Sequence, residues 1–371
     1  MAEERIKPIV MPKWGLSMRE GKITAWLKPL GSRVAVGDAI LEVETDKIAS
    51  AVEAGSAGTL RRIIGQPDAI YPVKALIGVL AEDDVADADV DAFVSGYTTP
   101  AAEMDDEEAG PGYQFTETPA GPLRFAKRGE GGEVVVLVHG FGGDLDNWLF
   151  NIDALATEAT VYALDLPGHG QSSKSVAEPS LKGLSRALID FMDKLSITDA
   201  HLVGHSMGGA VVARATLDAP QRVKSLTLIS SAGLGQDING GYVEGFVTST
   251  SRRDLKPVLE QLFDDPSLVN RQFVEDVLKY KRLDGVQQAL STLSAALFPN
   301  GQQADVLAGE LANAGKPALV IWGANDRVIP AKHAGALGEA AKAEVIKEAG
   351  HMVQMEKAGK VNDLVLAHIR S

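Results

Sequence analysis

Apolar and polar positions alternate along this chain with two different periods, and the change of period divides it. Between Gly21 and Leu80, short runs such as Lys22 to Trp26 and Ala39 to Val43 have the character of β-strands, separated by the turn signals Gly31-Ser32 and Gly37-Asp38. The pattern repeats: Gly21, Ile23, Leu27, Val36, Ile40 and Val43 match Gly58, Leu60, Ile64, Val73, Ile77 and Leu80 at an offset of 37 residues. Two similar half-sheets packed on each other would bury both apolar faces, so residues 1–82 are predicted to form a small all-β flattened barrel. The second half, GQPDAIYPVKALIGVL, has no clear counterpart to the Gly31-Ser32 turn.

Between the halves lies LEVETDKIASAVE. Leu41 and Val43 alternate with Glu42 and Glu44, and Ile48, Ser50 and Val52 alternate with Ala49 and Ala51. Alternation on both sides places Thr45-Asp46-Lys47 at a hairpin turn, with Lys47 exposed. An exposed lysine on a rigid tip suits covalent modification; turn lysines are ordinarily just solvated, and its place within the repeat is what sets this one apart. From Glu82 to Ala109 acidic residues run throughout, without a Lys or Arg. Like charges extend such a segment and Ala, Pro and Gly offer little to pack, so residues 83–112 are expected to be a mobile acidic linker. The alternative is that Val85, Val90, Phe93 and Val94 dock a short helix on a neighbouring domain.

After Gly112 the period changes. Continuous apolar runs, EVVVLVHG, ATVYALDLPG, DAHLVGHS, VKSLTLISS, PALVIWGA and AEVIKEAGH, alternate with stretches of helical period such as Leu184 to Leu195. Strands of this kind are covered on both faces, which predicts a doubly wound, mostly parallel α/β sheet over residues 113–371.

Composition narrows the functional classes. Hydrophobic content of 45% and charged content of 23% suffice for compact folding without metal or disulfide support. The absence of cysteine excludes thiolate metal sites and a cysteine nucleophile, so any redox sulfur has to come from a cofactor. A net charge of −14 disfavours nucleic acid and anionic membranes. With no apolar run of signal-peptide or membrane-spanning length, a cytoplasmic location is expected.

The chemistry gathers at predicted strand ends. Strand DAHLV runs into Gly204-His205-Ser206-Met207-Gly208, and Gly209 to Leu217 reads as helix. A Gly-x-Ser-x-Gly at a strand-to-helix turn forces a sharp bend that projects Ser206 from the strand end. A serine hydroxyl needs a base and an acid to orient that base. Asp326 follows PALVIWG and His351 follows AEVIKEA, in the order Ser, Asp, His, and no acid immediately follows LTLISS. The turn His139-Gly140-Phe141-Gly142-Gly143 after EVVVLV would supply the backbone N–H of Phe141, or of Gly142, as partner to that of Met207 in an oxyanion hole. His139, His169 and His205 adjoin turn glycines and read as structural; His201, His333 and His368 read as solvated or packed. In the segment between two sheet strands, Arg252, Arg253, Lys256, Lys279, Lys281 and Arg282 read as solvated surface charge, with an anionic ligand as the alternative.

These strings carry resemblances. MPKWGLSMREGKITAWL, GDAILEVETDKIASAVEA and GTL resemble the lipoyl domains of 2-oxo acid dehydrogenase complexes from about Arg5 to Ala81. Biotin domains share that fold but usually flank their lysine with methionines, whereas Lys47 has Asp46 and Ile48, so the resemblance implies lipoate on Lys47. HGFGG, LDLPGHGQS, GHSMGG, GANDRVIP and GHMVQMEK resemble the α/β-hydrolase family from about Tyr113 to Ser371. That resemblance implies Ser206, Asp326 and His351 as triad and residues 232–311 as a helical cap. Their union in one chain looks like the dihydrolipoamide acetyltransferase subunits of acetoin dehydrogenase complexes. This implies acetyl transfer from the lipoyl arm to coenzyme A. The implied partners are a thiamine-diphosphate-dependent acetoin dehydrogenase, the flavoenzyme dihydrolipoamide dehydrogenase, and a lipoate ligase or lipoyl transferase. The His-x-x-x-Asp-Gly string of the usual acyltransferase core does not occur, nor does an evident basic partner-binding helical module. An esterase, thioesterase or carbon–carbon bond hydrolase with a fused lipoyl domain, and a swinging-arm carrier with a merely structural hydrolase fold, are the alternatives.

Overall fold

The computed structural model describes residues 5–14, 18–45, 49–100 and 112–371. Two compact units divide at residue 111. The first holds two four-stranded sheets. One has the order β1 (Ile6–Val10), β8 (Leu76–Ala81), β6 (Gly58–Ile63), β3 (Arg33–Val34); the other has β5 (Ala49–Glu53), β4 (Ala39–Glu44), β2 (Glu20–Trp26), β7 (Ile70–Pro72). Each half of the sequence repeat lends one short strand to the other half's sheet: β3 pairs with β6 and β7 with β2. The matched pairs Ile23/Leu60, Ile40/Ile77 and Val43/Leu80 are all buried, as two facing apolar surfaces require, whereas Leu27 and Val36 are exposed. The repeat extends to the backbone. Gly31 and Gly37 adopt φ of 84° and 85°, and the residues 37 positions on, Asp68 and Lys74, adopt 64° and 68°. The second-half turn is therefore present without glycine.

Strands β4 and β5 are antiparallel with Glu44 opposite Ala49, so Lys47 belongs to the connection between paired strands. Lys47 itself lies outside the described residues.

The expectation of a mobile linker over residues 83–112 fails for its first part. Residues Asp87–Gly96 form α1, with Val85 and Val90 buried against Ile6, Val79 and Ala81. The acidic side chains that composition read as mutually repelling are paired with arginines: Asp83 with Arg33, Asp84 with Arg5, and Asp87 and Asp91 with Arg62. Exposed pairs contribute at most about 1 kcal/mol each, while burying a valine contributes about 1.5 to 3 kcal/mol. The two valines thus dominate the docking, and the charges set its register. Residues 101–111 of the expected linker lie outside the described residues.

The second unit is built on an eight-stranded sheet, ordered β16 (Lys342–Ile346), β15 (Ala318–Gly323), β14 (Val223–Ile229), β13 (Ala200–His205), β11 (Glu133–Val138), β12 (Ala159–Leu164), β10 (Gly121–Arg128), β9 (Tyr113–Thr118). From β12 through β16 the strands are parallel; β9 and β10 add an antiparallel edge. Strand β16 is not covered on both faces, because it is the other edge and leaves Val345 exposed. Helices α2 (Ile152–Leu155), α3 (Leu181–Lys194), α4 (Met207–Asp218), α10 (Val353–Glu356) and α11 (Ala358–Ile369) accompany the sheet. Between β14 and β15 come α5 (Gly240–Thr248), α6 (Arg252–Leu259), α7 (Arg271–Lys281), α8 (Val286–Leu297) and α9 (Ala308–Leu311), which form the cap. No helix among the described residues is long and apolar enough to cross a membrane.

Candidate active site

Ser206 sits between β13 and α4 with φ 53° and ψ −121°. Such a conformation is disfavoured for any residue with a Cβ and costs on the order of 1 to 3 kcal/mol. The surroundings hold it: Ser206 N donates to Ile229 O at 2.9 Å, and its carbonyl accepts from Gly209 N and Ala232 N, each at 2.9 Å. The flanking glycines are sterically required. A Cβ on Gly204 would lie 2.3 Å from Gly208 O, and one on Gly208 would lie 2.2 Å from Val138 O. The bend exists because two strand ends and a helix start share a space that only hydrogen can occupy.

His351 and Asp326 meet beyond β16 and β15. Their side chains are almost fully buried, with His351 Nδ1 2.8 Å from Asp326 Oδ2. The other carboxylate oxygen, Oδ1, accepts the amides of Val328 and Ile329 at 2.8 and 2.9 Å. With both oxygens engaged, Asp326 can only accept from Nδ1, which leaves His351 Nε2 as the basic nitrogen.

No hydrogen bond joins Ser206 to His351 among the described residues; His205 links them instead. It adjoins Ser206, donates from Nε2 to His351 O at 3.0 Å, and its ring lies 4.8 Å from that of His351. Burial, reinforced by the His351 imidazole, pushes His205 well below the usual imidazole range, so it stays neutral and keeps this donor. Glu356 adds a second brace, its two oxygens accepting Gly350 N and Asp264 N, each at 2.7 Å.

The Gly140 turn closes the other side. A Cβ on Gly140 would lie 3.0 Å from Ser206 Cβ, which puts the next residue, Phe141, beside the elbow. Neither Phe141 N nor Met207 N has a hydrogen-bond acceptor among the described residues, as an oxyanion hole requires. Gly142 has φ 73°, and a Cβ there would lie 2.2 Å from the Phe246 ring of α5. Phe141 packs edge-on against Phe246 at 6.1 Å and Phe298 at 5.7 Å. A narrow apolar cavity of about 20 Å³ lies beside Met207, walled by Leu181, Ala210, Leu297 and Phe298.

His139 accepts Leu166 N at 3.0 Å through Nε2, a structural role, and His169 is buried beside it and Phe141. Burial pushes His169 down to about 3. His201 and His333 are also buried.

One cap lysine departs from the expected solvated surface charge. Lys281 is buried and donates to Phe246 O, to Ser249 O at 2.6 Å and to Val247 O at 3.4 Å, closing the end of α5 behind Phe246. Burial pushes it down to about 8. Its buried neighbours on α7 are Val274 and Leu278, so the i, i+4, i+7 spacing was a sequence signal that its charge obscured. The bracing roles of His205 and Glu356 had no such signal.

A family model described as alpha/beta hydrolase fold matches residues 133–358, and one described as biotin-requiring enzyme matches residues 7–78. The dihydrolipoyllysine-residue acetyltransferase component of the acetoin cleaving system of Cupriavidus necator is 53% identical over 364 residues, covering 98% of this chain and 97% of that protein. The protein so named from Pseudomonas putida is 50% identical, covering 99% of each. Among solved structures, a meta-cleavage product hydrolase from Pseudomonas fluorescens superposes with a TM-score of 0.64 at 26% identity, over 69% of this chain and 97% of its own. With both domain types in one chain and similarity along nearly all of it, the chain belongs to the family of dihydrolipoyllysine-residue acetyltransferase components of acetoin cleaving systems.

Proposed function

We propose that this chain moves an acetyl group from a thioester donor to coenzyme A in acetoin catabolism, using Ser206, His351 and Asp326. Lys47 is the attachment point for lipoate, on a connection whose flanking strands pair up to Glu44 and Ala49. Lipoate there supplies a dithiol able to carry the acetyl group as a thioester. The partners this reading calls for are a thiamine-diphosphate-dependent acetoin dehydrogenase as acetyl source, dihydrolipoamide dehydrogenase, and a lipoate ligase or lipoyl transferase, in the cytoplasm.

His351 Nε2 takes the proton from Ser206 Oγ as that oxygen attacks the thioester carbonyl. The amides of Phe141 and Met207 hold the developing oxyanion, each lowering the barrier by on the order of 3 kcal/mol. The imidazolium returns the proton to the departing sulfur. The coenzyme A thiol then gives its proton to His351 and attacks acetyl-Ser206; the bond from the acyl carbon to Ser206 Oγ breaks, and the imidazolium returns the proton to Oγ, leaving acetyl-coenzyme A and the free serine. Asp326 holds the imidazole in the required tautomer. The ring cluster of Phe141, Phe246 and Phe298 limits water at the acyl-enzyme stage.

The observation that carries this reading is the buried Asp326–His351 pair braced onto the strained Ser206 bend. Its test is Ser206→Ala, following transfer from S-acetyldihydrolipoamide to coenzyme A; undiminished transfer removes the serine from the mechanism. Similarity to a meta-cleavage product hydrolase favours hydrolysis as the second reading, since transfer and hydrolysis share one tetrahedral intermediate. Release of free acetate in that assay, independent of coenzyme A, would establish it.

A further inference from the structure

The cap carries a groove of about 530 Å³ lined by Arg252, Arg253, Lys256, Pro257 and Glu260 on α6 and the turn that follows it. We propose that this groove binds the phosphate-bearing nucleotide end of coenzyme A, a proposal that rests on coenzyme A being the acetyl acceptor.

Arg252, Arg253 and Lys256 share about one turn of α6, with Asp254 between them and Glu260 at the groove's edge, in a chain whose net charge is −14, so the cations are the groups an anion would meet there. The volume falls within the range of small-molecule sites, roughly 300 to 1,000 Å³. Arg253 has no ion-pair partner among the described residues. Arg252 pairs with Glu275 and Lys256 with Glu260, but these side chains are 48% and 50% exposed. Exposed pairs are worth about 0.2 to 1 kcal/mol and yield readily to phosphate, which an arginine grips through two parallel hydrogen bonds.

The helix that carries the groove also contacts elements that surround the catalytic residues. Helix α6 lies close against α5, where a Cβ on Gly245 would fall 2.8 Å from Val258, and the next residue of α5 is Phe246. At its far end α6 leads to Leu262, whose carbonyl accepts Met352 N at 3.0 Å, directly beside His351. Eight residues of helix span about 12 Å. Adding the three-residue turn to Leu262, at about 2 Å per residue, the first turn of α6 lies roughly 18 Å along the chain from the carbonyl that holds Met352, a span the pantetheine tether that carries the thiol would have to bridge.

The test is the triple variant Arg252→Glu, Arg253→Glu, Lys256→Glu, with Arg253→Gln as a milder form and Lys279→Glu as a control for general charge. Coenzyme A, dephospho-coenzyme A and pantetheine serve as acceptors, and calorimetric titration with coenzyme A alone gives Kd without any reaction. The triple variant should raise both KM and Kd for coenzyme A tenfold or more, with the donor KM, kcat and the pantetheine KM within twofold of native. Arg253→Gln should show the same split more weakly, and Lys279→Glu none. An unchanged Kd in a folded triple variant, or a rise in donor KM in place of the coenzyme A effect, would overturn the assignment. If the triple variant does not fold, an unchanged Kd in Arg253→Gln would do so. Titration that succeeds in a protein transferring nothing would instead count against the transfer reading alone.

Discussion

Replacing Asp326 by Asn probes the division of labour in the site with almost no change of shape. Oδ1 accepts the amides of Val328 and Ile329, and Oδ2 accepts the Nδ1 proton of His351. The asparagine carbonyl has to stay on the two amides, because turning its NH2 toward them would leave buried N–H groups unpaired at about 1 to 3 kcal/mol each. That NH2 then faces Nδ1 and drives the imidazole proton to Nε2, the nitrogen that should receive the serine proton. Tautomer inversion of this kind lowers kcat by about 10⁴ in serine hydrolases. At about 1.36 kcal/mol per tenfold, the barrier rises by about 5 kcal/mol. Both backbone amides keep their acceptor, so the melting temperature should move by only a few degrees. Asp326→Ala is the poorer probe, since it strands the two amides and confounds folding with catalysis. The assay is single-turnover acetyl transfer to coenzyme A alongside thermal unfolding. A folded Asp326→Asn protein within tenfold of the native rate would refute the assignment of Nε2 as the base.

The remaining predictions concern the supports of the site and of the first unit. Gly142→Ala places a Cβ 2.2 Å from the Phe246 ring at a φ of 73°, so the Gly140–Gly143 turn or α5 has to shift. A loss of about 1 to 3 kcal/mol in denaturant unfolding and at least a tenfold fall in kcat should follow, and native kcat would show that the turn does not hold the oxyanion. Burial holds Lys281 at about 8 in the folded chain against 10.5 when exposed, so between these values the unfolded chain binds more protons and stability rises with pH. Native protein should therefore gain stability relative to Lys281→Met between about pH 8 and about pH 10.5, and parallel stability curves would contradict this. Val90→Asp puts a carboxylate into the cluster of Ile6, Val79 and Ala81 and should release α1, seen as faster proteolysis within residues 83–97; an unchanged cleavage pattern would count against apolar docking.

How much of this was legible in the sequence depended on the range of the interaction that decided each feature. Strand period and glycine spacing are local, so the paired half-sheets, the parallel sheet and the Ser206 bend could be read directly. The first-half left-handed turns were marked by glycine, but Asp68 and Lys74 hide theirs, because strand pairing on either side imposes a conformation costing an L-residue only about 1 to 2 kcal/mol. The acidic stretch was misread because composition counts repulsion among neighbours, whereas its cations lie elsewhere, Arg5 being 79 residues before Asp84. In the site, Ser206, Asp326 and His351 follow strand ends and so appear in order, but the bond from His205 to the His351 carbonyl spans 146 residues and leaves no periodic trace. Lys281 combines the two cases. Helical spacing put it on the buried face of α7 while its charge argued for solvent, and a contradiction of that kind reports that backbone acceptors must be waiting there. The sequence could locate the conflict, but only folding brings the end of α5 into position to resolve it.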